Sequence, residues 1–294
     1  MIIIAGSSNP ELANNIAKQI NAPFIQAEVK HFEDQELRIQ IEGNLYERDV
    51  IIIQSTSKPA NDHLMELLLI ADSAKRAGAR RIIAAIPYFG YSRQDRPTYN
   101  NGPISASLVA TLIEAAGIER IITLDLHSKQ IEGFFKIGVQ NLDTFALFSK
   151  LFTNKDDYAI VSPDIGGLLR AQALSNKLNC GLVAINKTRD SSGECSMHEI
   201  IGNVKNKHCI IIDDIIDTAG TICKAAELLI SKGASKVTAC ATHAVFSKNS
   251  IKLIDESCID KLYVTNSIHH KNLPDKFTII SIEEILSNSL KKFL

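Results

Sequence analysis

The sequence of 294 residues lacks an excess of charge of either sign, a long apolar run and a closely spaced pair of cysteines. Its 32 Lys and Arg residues against 33 Asp and Glu residues give a formal net charge of −1. A neutral chain lacks the broad positive field on which non-specific nucleic-acid binding depends, so we expect no nucleic-acid partner. No apolar stretch approaches the roughly 18 residues that a membrane span needs, so we expect no membrane partner.

The amino terminus and the cysteines both indicate a cytoplasmic protein. Residues 1–6 have no basic region before their short apolar run, which predicts a first strand rather than a signal peptide. The chain has 6 cysteines and none of them forms a C-x-x-C pair, so the spacing favours neither a disulfide scaffold nor a zinc site. We therefore expect reduced, mostly buried thiols and a cytoplasmic location.

Short β-branched runs alternate with amphipathic helical patterns along the chain. A strand over residues 50–54 is followed by a helix over 62–77, whose apolar residues share one face and whose end is marked by Gly78. The same alternation continues from residue 81 to residue 242. This pattern predicts an α/β fold with mainly parallel central sheets flanked by helices.

An internal repeat indicates two copies of one α/β unit. Residues 51–53 lead through a polar loop and a helix to a Gly-Ala-Arg-Arg-Ile turn at 78–82. Residues 210–212 lead in the same way to a Gly-Ala-Ser-Lys-Val turn at 233–237. Chance is the alternative explanation, because Gly-Ala is a common helix stop. We predict that the chain contains two duplicated α/β domains.

No linker rich in Pro, Gly or Ser separates the two halves, and the boundary is expected near residues 141–150. The predicted domains are an N-terminal one over residues 1–144 and a C-terminal one over residues 145–294. We expect the last helix, over residues 282–293, to pack on the first domain.

The strongest chemical motif runs from Ile210 to Thr221. A buried strand delivers Asp213 and Asp214 at its carboxyl end, where ligands of open α/β sheets bind, and a small-residue loop then leads into a helix. The N–H groups from Thr218 onwards would face an anion. Adjacent carboxylates need partners, and sugar hydroxyls and a bound Mg²⁺ are suitable ones. The alternative is a plain strand–loop–helix turn with solvated acids.

This motif resembles the phosphoribosyl-diphosphate loop of the phosphoribosyltransferase-fold families, and the resemblance implies that the two duplicated domains are phosphoribosyltransferase-like. The resemblance implies that Asp213 and Asp214 face the ribose hydroxyls and a metal. It also implies that the loop holds the 5-phosphate through Asp217, Thr218, Ala219, Gly220 and Thr221. Ala219 stands where the first glycine of the usual Asp-Thr-Gly-Gly-Thr lies, so a positive φ there would cost about 1 kcal/mol.

Residues 123–135 place His127 at the carboxyl end of a predicted strand. A lone histidine is more often a structural residue than a ligand. The residues around this one, Thr-Leu-Asp-Leu-His-Ser-Lys-Gln-Ile-Glu-Gly-Phe-Phe, resemble the metal-binding segment of the ribose-phosphate pyrophosphokinase family. The resemblance implies that His127 helps to hold the Mg²⁺ bound to ATP. It also implies that Asp164, in the Ser-Pro-Asp-Ile-Gly-Gly stretch at 162–167, is a second metal-associated acid.

Two further segments are similar to nucleotide-binding elements of the same family. Residues 32–36, Phe-Glu-Asp-Gln-Glu, resemble its nucleotide hairpin, with Gln35 in place of the usual glycine. Residues 87–96 resemble its ATP-binding stretch, and the guanidinium of Arg93 offers a planar fork for phosphate. A solvated polar loop is the alternative for the second segment. The resemblance implies that ATP is bound by Asp34, Gln35, Glu36, Arg93, Gln94 and Arg96.

Residues 186–189, Asn-Lys-Thr-Arg, end a predicted strand at the start of a polar loop. Without context, Lys187 and Arg189 are ordinary surface cations. By resemblance they match the catalytic lysine and arginine of the family, and Arg189 also contributes to ribose 5-phosphate binding.

These motifs follow one another in the family's order from about residue 1 to residue 290. They imply an enzyme that transfers the diphosphate of ATP to the 1-hydroxyl of ribose 5-phosphate, with Mg²⁺ as the cofactor. The nucleotide hairpin of this family commonly reaches into a neighbouring subunit's site, so the resemblance implies a homo-oligomer with a dimer as building block. The sequence leaves open whether the assembly stops at a dimer or builds a hexamer.

Two alternatives to this function remain at the level of sequence. A simple phosphoribosyltransferase would not need the residues 93–96 and His127. A catalytically inactive regulatory homologue would have lost active-site residues, and the presence of Lys187, Arg189 and Asp217 argues against it.

Overall fold

The computed structural model describes residues 1–152, 157–189 and 195–293, with the backbone alone for 187–189 and 195–198. The chain forms two compact units. The first unit comprises Met1–Asp143 with Ser267–His269 and Ser281–Leu294, and the second comprises Thr144–Asn266 with His270–Ile280.

The first unit contains a sheet of six parallel strands and a separate two-stranded hairpin. Its strands, in chain order, are β1 Ile2–Ala5, β2 Phe24–Gln26, β3 Glu28–His31, β4 Leu37–Gln40, β5 Asp49–Ile53, β6 Arg81–Ile86, β7 Arg120–Leu124 and β8 Gly138–Leu142. The sheet order is β2-β1-β5-β6-β7-β8, and β3 pairs antiparallel with β4. Strands β1 and β5 are buried along their whole length, which explains their unbroken β-branched sequences.

The helices of the first unit before residue 144 are α1 Pro10–Gln19, α2 Ala60–Arg76 and α3 Ser105–Ala115, and a 3₁₀ helix spans Lys129–Phe134. Helix α1 begins as the sequence dictates, because the Asn9 side chain accepts a hydrogen bond from Leu12 N at 3.2 Å and Pro10 occupies the first turn. Helices α2 and α3 bury their apolar faces in one hydrophobic core with β1, β5 and β6.

The second unit contains a sheet of seven strands in the order β11-β10-β9-β12-β13-β14-β15. The strands are β9 Tyr158–Ser162, β10 Gly181–Arg189, β11 Cys195–Ile201, β12 His208–Ile216, β13 Lys236–Ala244, β14 Lys261–Thr265 and β15 Phe277–Ile280. Only the β10–β11 pair is antiparallel among them. The helices are α4 Phe145–Ser149, α5 Leu168–Leu178, α6 Gly220–Ser231 and α7 Ser250–Asp255.

The two units share one topology. The order β2-β1-β5-β6-β7-β8 corresponds strand for strand to β10-β9-β12-β13-β14-β15. Helix α2 connects β5 to β6 in the same way that α6 connects β12 to β13. The predicted fold class, two duplicated units with mainly parallel sheets flanked by helices, is therefore confirmed.

Backbone hydrogen bonds repeat in detail between the units, which excludes chance as the origin of the repeat. Glu47 N donates to Gly78 O at 2.8 Å, and Asn206 N donates to Gly233 O at 2.7 Å. The two glycines have φ of 78° and 91°, in the left-handed region that glycine adopts at helix ends. Each bond joins the start of the central strand to the turn after the helix.

The last helix, α8 Glu283–Leu290, belongs to the first unit together with a 3₁₀ turn over Lys291–Phe293. Asn15 Nδ2 donates to Glu283 Oε1 at 2.9 Å, and Ser289 Oγ donates to Gln140 Oε1 at 2.8 Å. Leu286 is fully buried. The helix therefore packs on the first unit through an apolar face and through polar contacts.

Candidate active site

The second unit brings three acidic side chains to the carboxyl edge of its sheet. Asp164 follows β9, and Asp213 and Asp214 lie on the neighbouring strand β12. The sequence pattern places Asp213 and Asp214 at the carboxyl end of their strand, whereas β12 continues to Ile216 because its residues pair there with β13. These two acids therefore lie within the sheet, which fixes their backbone positions, and Asp164 lies in the loop after β9.

Arg170 binds this acidic pair, although it belongs to none of the motifs identified in the sequence. Its Nη1 lies 3.0 Å from Asp214 Oδ1 and 3.8 Å from Asp213 Oδ1. The side chains of Arg170 and Asp214 are only 14% and 6% exposed, so the ion pair is largely removed from water. A cation in the first turn of α5, just after the Asp164 loop, is the signal that could have identified this residue.

The acidic cluster carries more negative charge than Arg170 offsets. Burial raises the pKa of the Asp213 carboxyl well above its ordinary value, and the charges of Asp214 and Asp164 raise it further, while Arg170 opposes the shift. Mg²⁺ takes oxygen ligands, usually one or two carboxylates together with phosphate oxygens and water. The donor chemistry of this edge therefore fits Mg²⁺. Within the described residues, no group of three or more His, Cys, Asp or Glu side chains forms a complete metal site.

The loop after β12 turns sharply before α6. Ala219 has φ of 65° and ψ of −5°, and its carbonyl accepts a hydrogen bond from Cys223 N at 3.1 Å. The alanine therefore does occupy a left-handed position, at a cost of about 1 kcal/mol relative to glycine. Asp217 O accepts from Ser247 N at 3.1 Å, and the Thr218 side chain is exposed. The loop thus presents Thr218 in front of the amino-terminal end of a 12-residue helix.

The predicted catalytic pair is described only in part. The backbones of Lys187 and Arg189 lie in the last residues of β10, beyond its pairing with β9. The register of β10 against β11 shifts between Asn186 and Lys187. The side chains of Lys187 and Arg189 lie outside the described part of the structure.

In the first unit, residues 87–96 resemble an ATP-binding stretch and are called the ATP-like stretch below. This stretch follows β6 and is anchored to α3. Gln94 N donates to Tyr91 O at 2.9 Å, and Gln94 Oε1 accepts from Ser105 Oγ at 2.6 Å. Arg93, Gln94 and Arg96 have exposed side chains. Asp95, between them, is buried instead, and sequence reasoning gave it no role.

His127 lies on the loop between β7 and the 3₁₀ helix, with an exposed side chain. The loop is fixed on its amino-terminal side, because Asp125 N donates to Leu142 O at 3.1 Å and Leu126 N donates to Asn141 Oδ1 at 3.2 Å. Since β6 and β7 are parallel neighbours, the ATP-like stretch and the His127 loop lie at the same edge of the sheet.

The predicted nucleotide hairpin is the turn between β3 and β4. Phe32 N donates to Glu36 O and Gln35 N donates to Phe32 O, each at 2.9 Å. Gln35 has φ of 73°, so it adopts the left-handed conformation expected where the family has glycine. Asp34, Gln35 and Glu36 are exposed at the tip of the hairpin.

Comparisons with known proteins cover nearly the whole chain. Residues 1–117 match the model of the N-terminal domain of ribose phosphate pyrophosphokinase, and residues 187–294 match that of the phosphoribosyl synthetase-associated domain. A ribose-phosphate pyrophosphokinase of Agrobacterium fabrum is 49% identical over 91% of this chain and 87% of its own length. That of Thermotoga maritima is 41% identical over 99% and 94%.

A solved structure agrees with these sequence relatives. The phosphoribosylpyrophosphate synthetase of Mycobacterium smegmatis matches with a TM-score of 0.93 and 34% identity, over 99% of this chain and 98% of that one. Among the described residues, no helix is long and apolar enough to cross a membrane.

Proposed function

This chain belongs to the ribose-phosphate pyrophosphokinase family. We propose which of its residues bind each substrate and which stabilise the transferred group. The enzyme transfers the diphosphate group of ATP to the 1-hydroxyl of ribose 5-phosphate, forming 5-phosphoribosyl 1-diphosphate and AMP for nucleotide biosynthesis. The ribose O1 forms a bond to the β-phosphorus, the bond from that phosphorus to the α–β bridging oxygen breaks, and its electron pair leaves with AMP. The hydroxyl proton is lost to solvent.

ATP is bound by loops of the first unit in this proposal. The exposed acceptors at the hairpin tip suit the adenine amino group and the ribose, and the exposed guanidinium groups suit phosphate oxygens. The residues assigned to ATP are Asp34, Gln35, Glu36, Arg93, Gln94 and Arg96.

Ribose 5-phosphate is bound by the second unit. The observation that carries this assignment is the buried Asp213–Asp214 pair, held by Arg170 directly before a left-handed turn into α6. The two carboxylates accept hydrogen bonds from the ribose hydroxyls, and the turn cradles the 5-phosphate at the helix start. The loop residues assigned to the phosphate are Asp217, Thr218, Ala219, Gly220 and Thr221.

Charge on the migrating group is offset by Lys187 and Arg189, and Arg189 also contacts ribose 5-phosphate. Such transfer depends on positioning and on electrostatic stabilisation more than on covalent catalysis. Bound Mg²⁺ would supply positive charge that neutralises phosphate oxygens and makes the β-phosphorus a better electrophile. His127 is assigned to help hold the Mg²⁺ bound to ATP, and Asp164 is assigned as a further metal-associated acid of the second unit.

The cellular location and the oligomeric state of the enzyme are also proposals. Because both substrates are intracellular metabolites, we place the enzyme in the cytoplasm, where its cysteines would stay reduced. We also propose a homo-oligomer with a dimer as its building block, since the hairpin tip that carries Asp34 and Glu36 is exposed and lies outside the six-stranded sheet.

Incubation with ATP, ribose 5-phosphate and Mg²⁺, followed by measurement of AMP and of the new diphosphate ester by ³¹P NMR, tests the function. AMP should form with ribose 5-phosphate and almost vanish without it. AMP formation at the same rate with and without ribose 5-phosphate would contradict the proposal. No turnover at all would favour the inactive regulatory homologue. Consumption of phosphoribosyl diphosphate that requires a nucleobase and no ATP would favour a phosphoribosyltransferase.

A further inference from the structure

Asp95 has a different environment from its neighbours in the ATP-like stretch. Arg93, Gln94 and Arg96 are exposed, whereas Asp95 is only 9% exposed. A carboxylate is costly to bury unless hydrogen-bond donors replace the water that it loses. The side chain therefore needs donors from within the unit.

Those donors come from the loop that carries His127. Ser128 Oγ donates to Asp95 Oδ2 at 2.6 Å, and Gln130 Nε2 donates to the same oxygen at 2.8 Å. Hydrogen bonds to a charged acceptor are short and strong, and both distances fall in that range. The contacts join segments that are 33 and 35 residues apart in the sequence.

The two loops lie side by side because of the sheet. The ATP-like stretch follows β6 and the His127 loop follows β7, and these strands are parallel neighbours. Gln94 is anchored on the other side to Ser105 at the start of α3. Asp95 thus joins a loop held by α3 to a loop held by β8 through Leu126 and Asn141.

We propose that Asp95 is a positioning residue for ATP, which holds Gln94 and Arg96 at a fixed separation from His127. The inference rests on the proposed function, in which those three residues contact ATP and its metal. Asp95 itself is directed away from solvent, into the contact between the loops, and acts through its neighbours. Loss of such supporting hydrogen bonds typically costs about 10- to 100-fold in affinity or activity at the supported site.

The experiment compares Asp95→Asn with the matched control Asp275→Asn, at an exposed carboxylate of the second unit. Asparagine keeps one acceptor oxygen but lacks the negative charge that strengthens both hydrogen bonds. We therefore expect Asp95→Asn to raise the KM for ATP and the Kd for ATP·Mg²⁺, measured by calorimetry without ribose 5-phosphate, by about tenfold. The KM for ribose 5-phosphate should stay within about twofold. The control should change none of these values by more than about twofold.

A purely structural role predicts a different result. If Asp95→Asn only reduced the amount of folded enzyme, the apparent kcat would fall while both KM values stayed unchanged. That result, or an equal rise in both KM values, would overturn the proposal.

Two further variants keep the test decisive if Asp95→Asn folds poorly. Ser128→Ala removes one donor from a partly exposed position, so it should raise the KM for ATP alone. The double variant Asp95→Asn/Gln130→Glu reverses donor and acceptor and should recover most of the ATP affinity lost in Asp95→Asn. An unchanged KM for ATP in Ser128→Ala would overturn the proposal. Failure of the proposed function is seen separately, as an absence of AMP formation in the wild type.

Discussion

Arg170 Nη1 lies 3.0 Å from Asp214 Oδ1, and the same nitrogen lies 3.8 Å from Asp213 Oδ1. A helix residue thus holds two adjacent strand carboxylates from a distance of more than 40 residues along the chain. Because this cluster contains buried charges, a substitution within it can raise the stability of the fold while it weakens substrate binding.

Asp213→Asn should stabilise the enzyme in the absence of substrates. A carboxyl group whose pKa is raised on folding binds more protons in the folded state, so stability falls as the pH rises from the ordinary value of 3.8 to the folded value. The cost grows with pH over this range, so at pH 7 the variant should gain about 2–4 °C in Tm, the effect of about 1 kcal/mol. The gain should be smaller at pH 4.5, and the KM for ribose 5-phosphate should rise. A lower Tm at pH 7 would show that the Asp213 charge is stabilising.

Arg170→Gln should destabilise the second unit and weaken ribose 5-phosphate binding. Removing one partner of a buried ion pair leaves uncompensated charge, at a cost of about 3 kcal/mol. The matched control is Arg76→Gln, which breaks an exposed pair with Asp72. Thermal unfolding should show a large loss for the first variant and a small one for the second. Equal losses would mean that the Arg170 pair is no stronger than a surface pair.

Thr218→Val should raise the KM for ribose 5-phosphate by about tenfold, the effect of about 1.4 kcal/mol. The substitution keeps the volume of the side chain but removes a hydroxyl from the predicted phosphate loop. The KM for ATP should stay nearly unchanged. Thr111→Val, at another exposed threonine, serves as control. An equal rise for both substrates would place the loop outside the ribose 5-phosphate site.

Lys187→Ala should lower kcat by about 10²-fold or more, the effect of removing one strong electrostatic donor from a transition state. ATP binding, measured by calorimetry, should change much less. The control is Lys177→Ala, at an exposed lysine in the last turn of α5. Near-normal turnover of Lys187→Ala would identify Lys187 as an ordinary surface cation.

Asp49→Asn should destabilise the first unit by about 1–3 kcal/mol, because two arginine donors lose their charged acceptor. Arg80 and Arg81 donate to Asp49, and chiefly the Arg80 hydrogen bond lowers the pKa of this carboxyl. This contribution is present above the ordinary value of 3.8 and is lost as the pH falls through the lowered value. Urea unfolding at pH 7 should show a much smaller loss for the exposed Asp72→Asn.

The sequence by itself determined the elements and the family. Runs such as residues 210–212 and glycines such as Gly78 and Gly233 act through local sterics and periodicity, so they predicted the strands, the turns and the duplication. The motifs of the active site are also contiguous in sequence, so a single segment such as residues 213–221 was enough to predict a phosphate loop. The roles of its individual residues stay predictions.

Only the tertiary structure decided which distant residues support those motifs. The sequence analysis assigned no role to Arg170 or Asp95, because a charged residue on a helix or in a polar loop is usually solvated. Their partners, Asp214 and Ser128, are 44 and 33 residues away and become neighbours only when parallel strands align their carboxyl ends. Burial then makes these contacts energetically important, since a charge removed from water needs a partner at hydrogen-bond distance, and only the folded chain decides which residue supplies it.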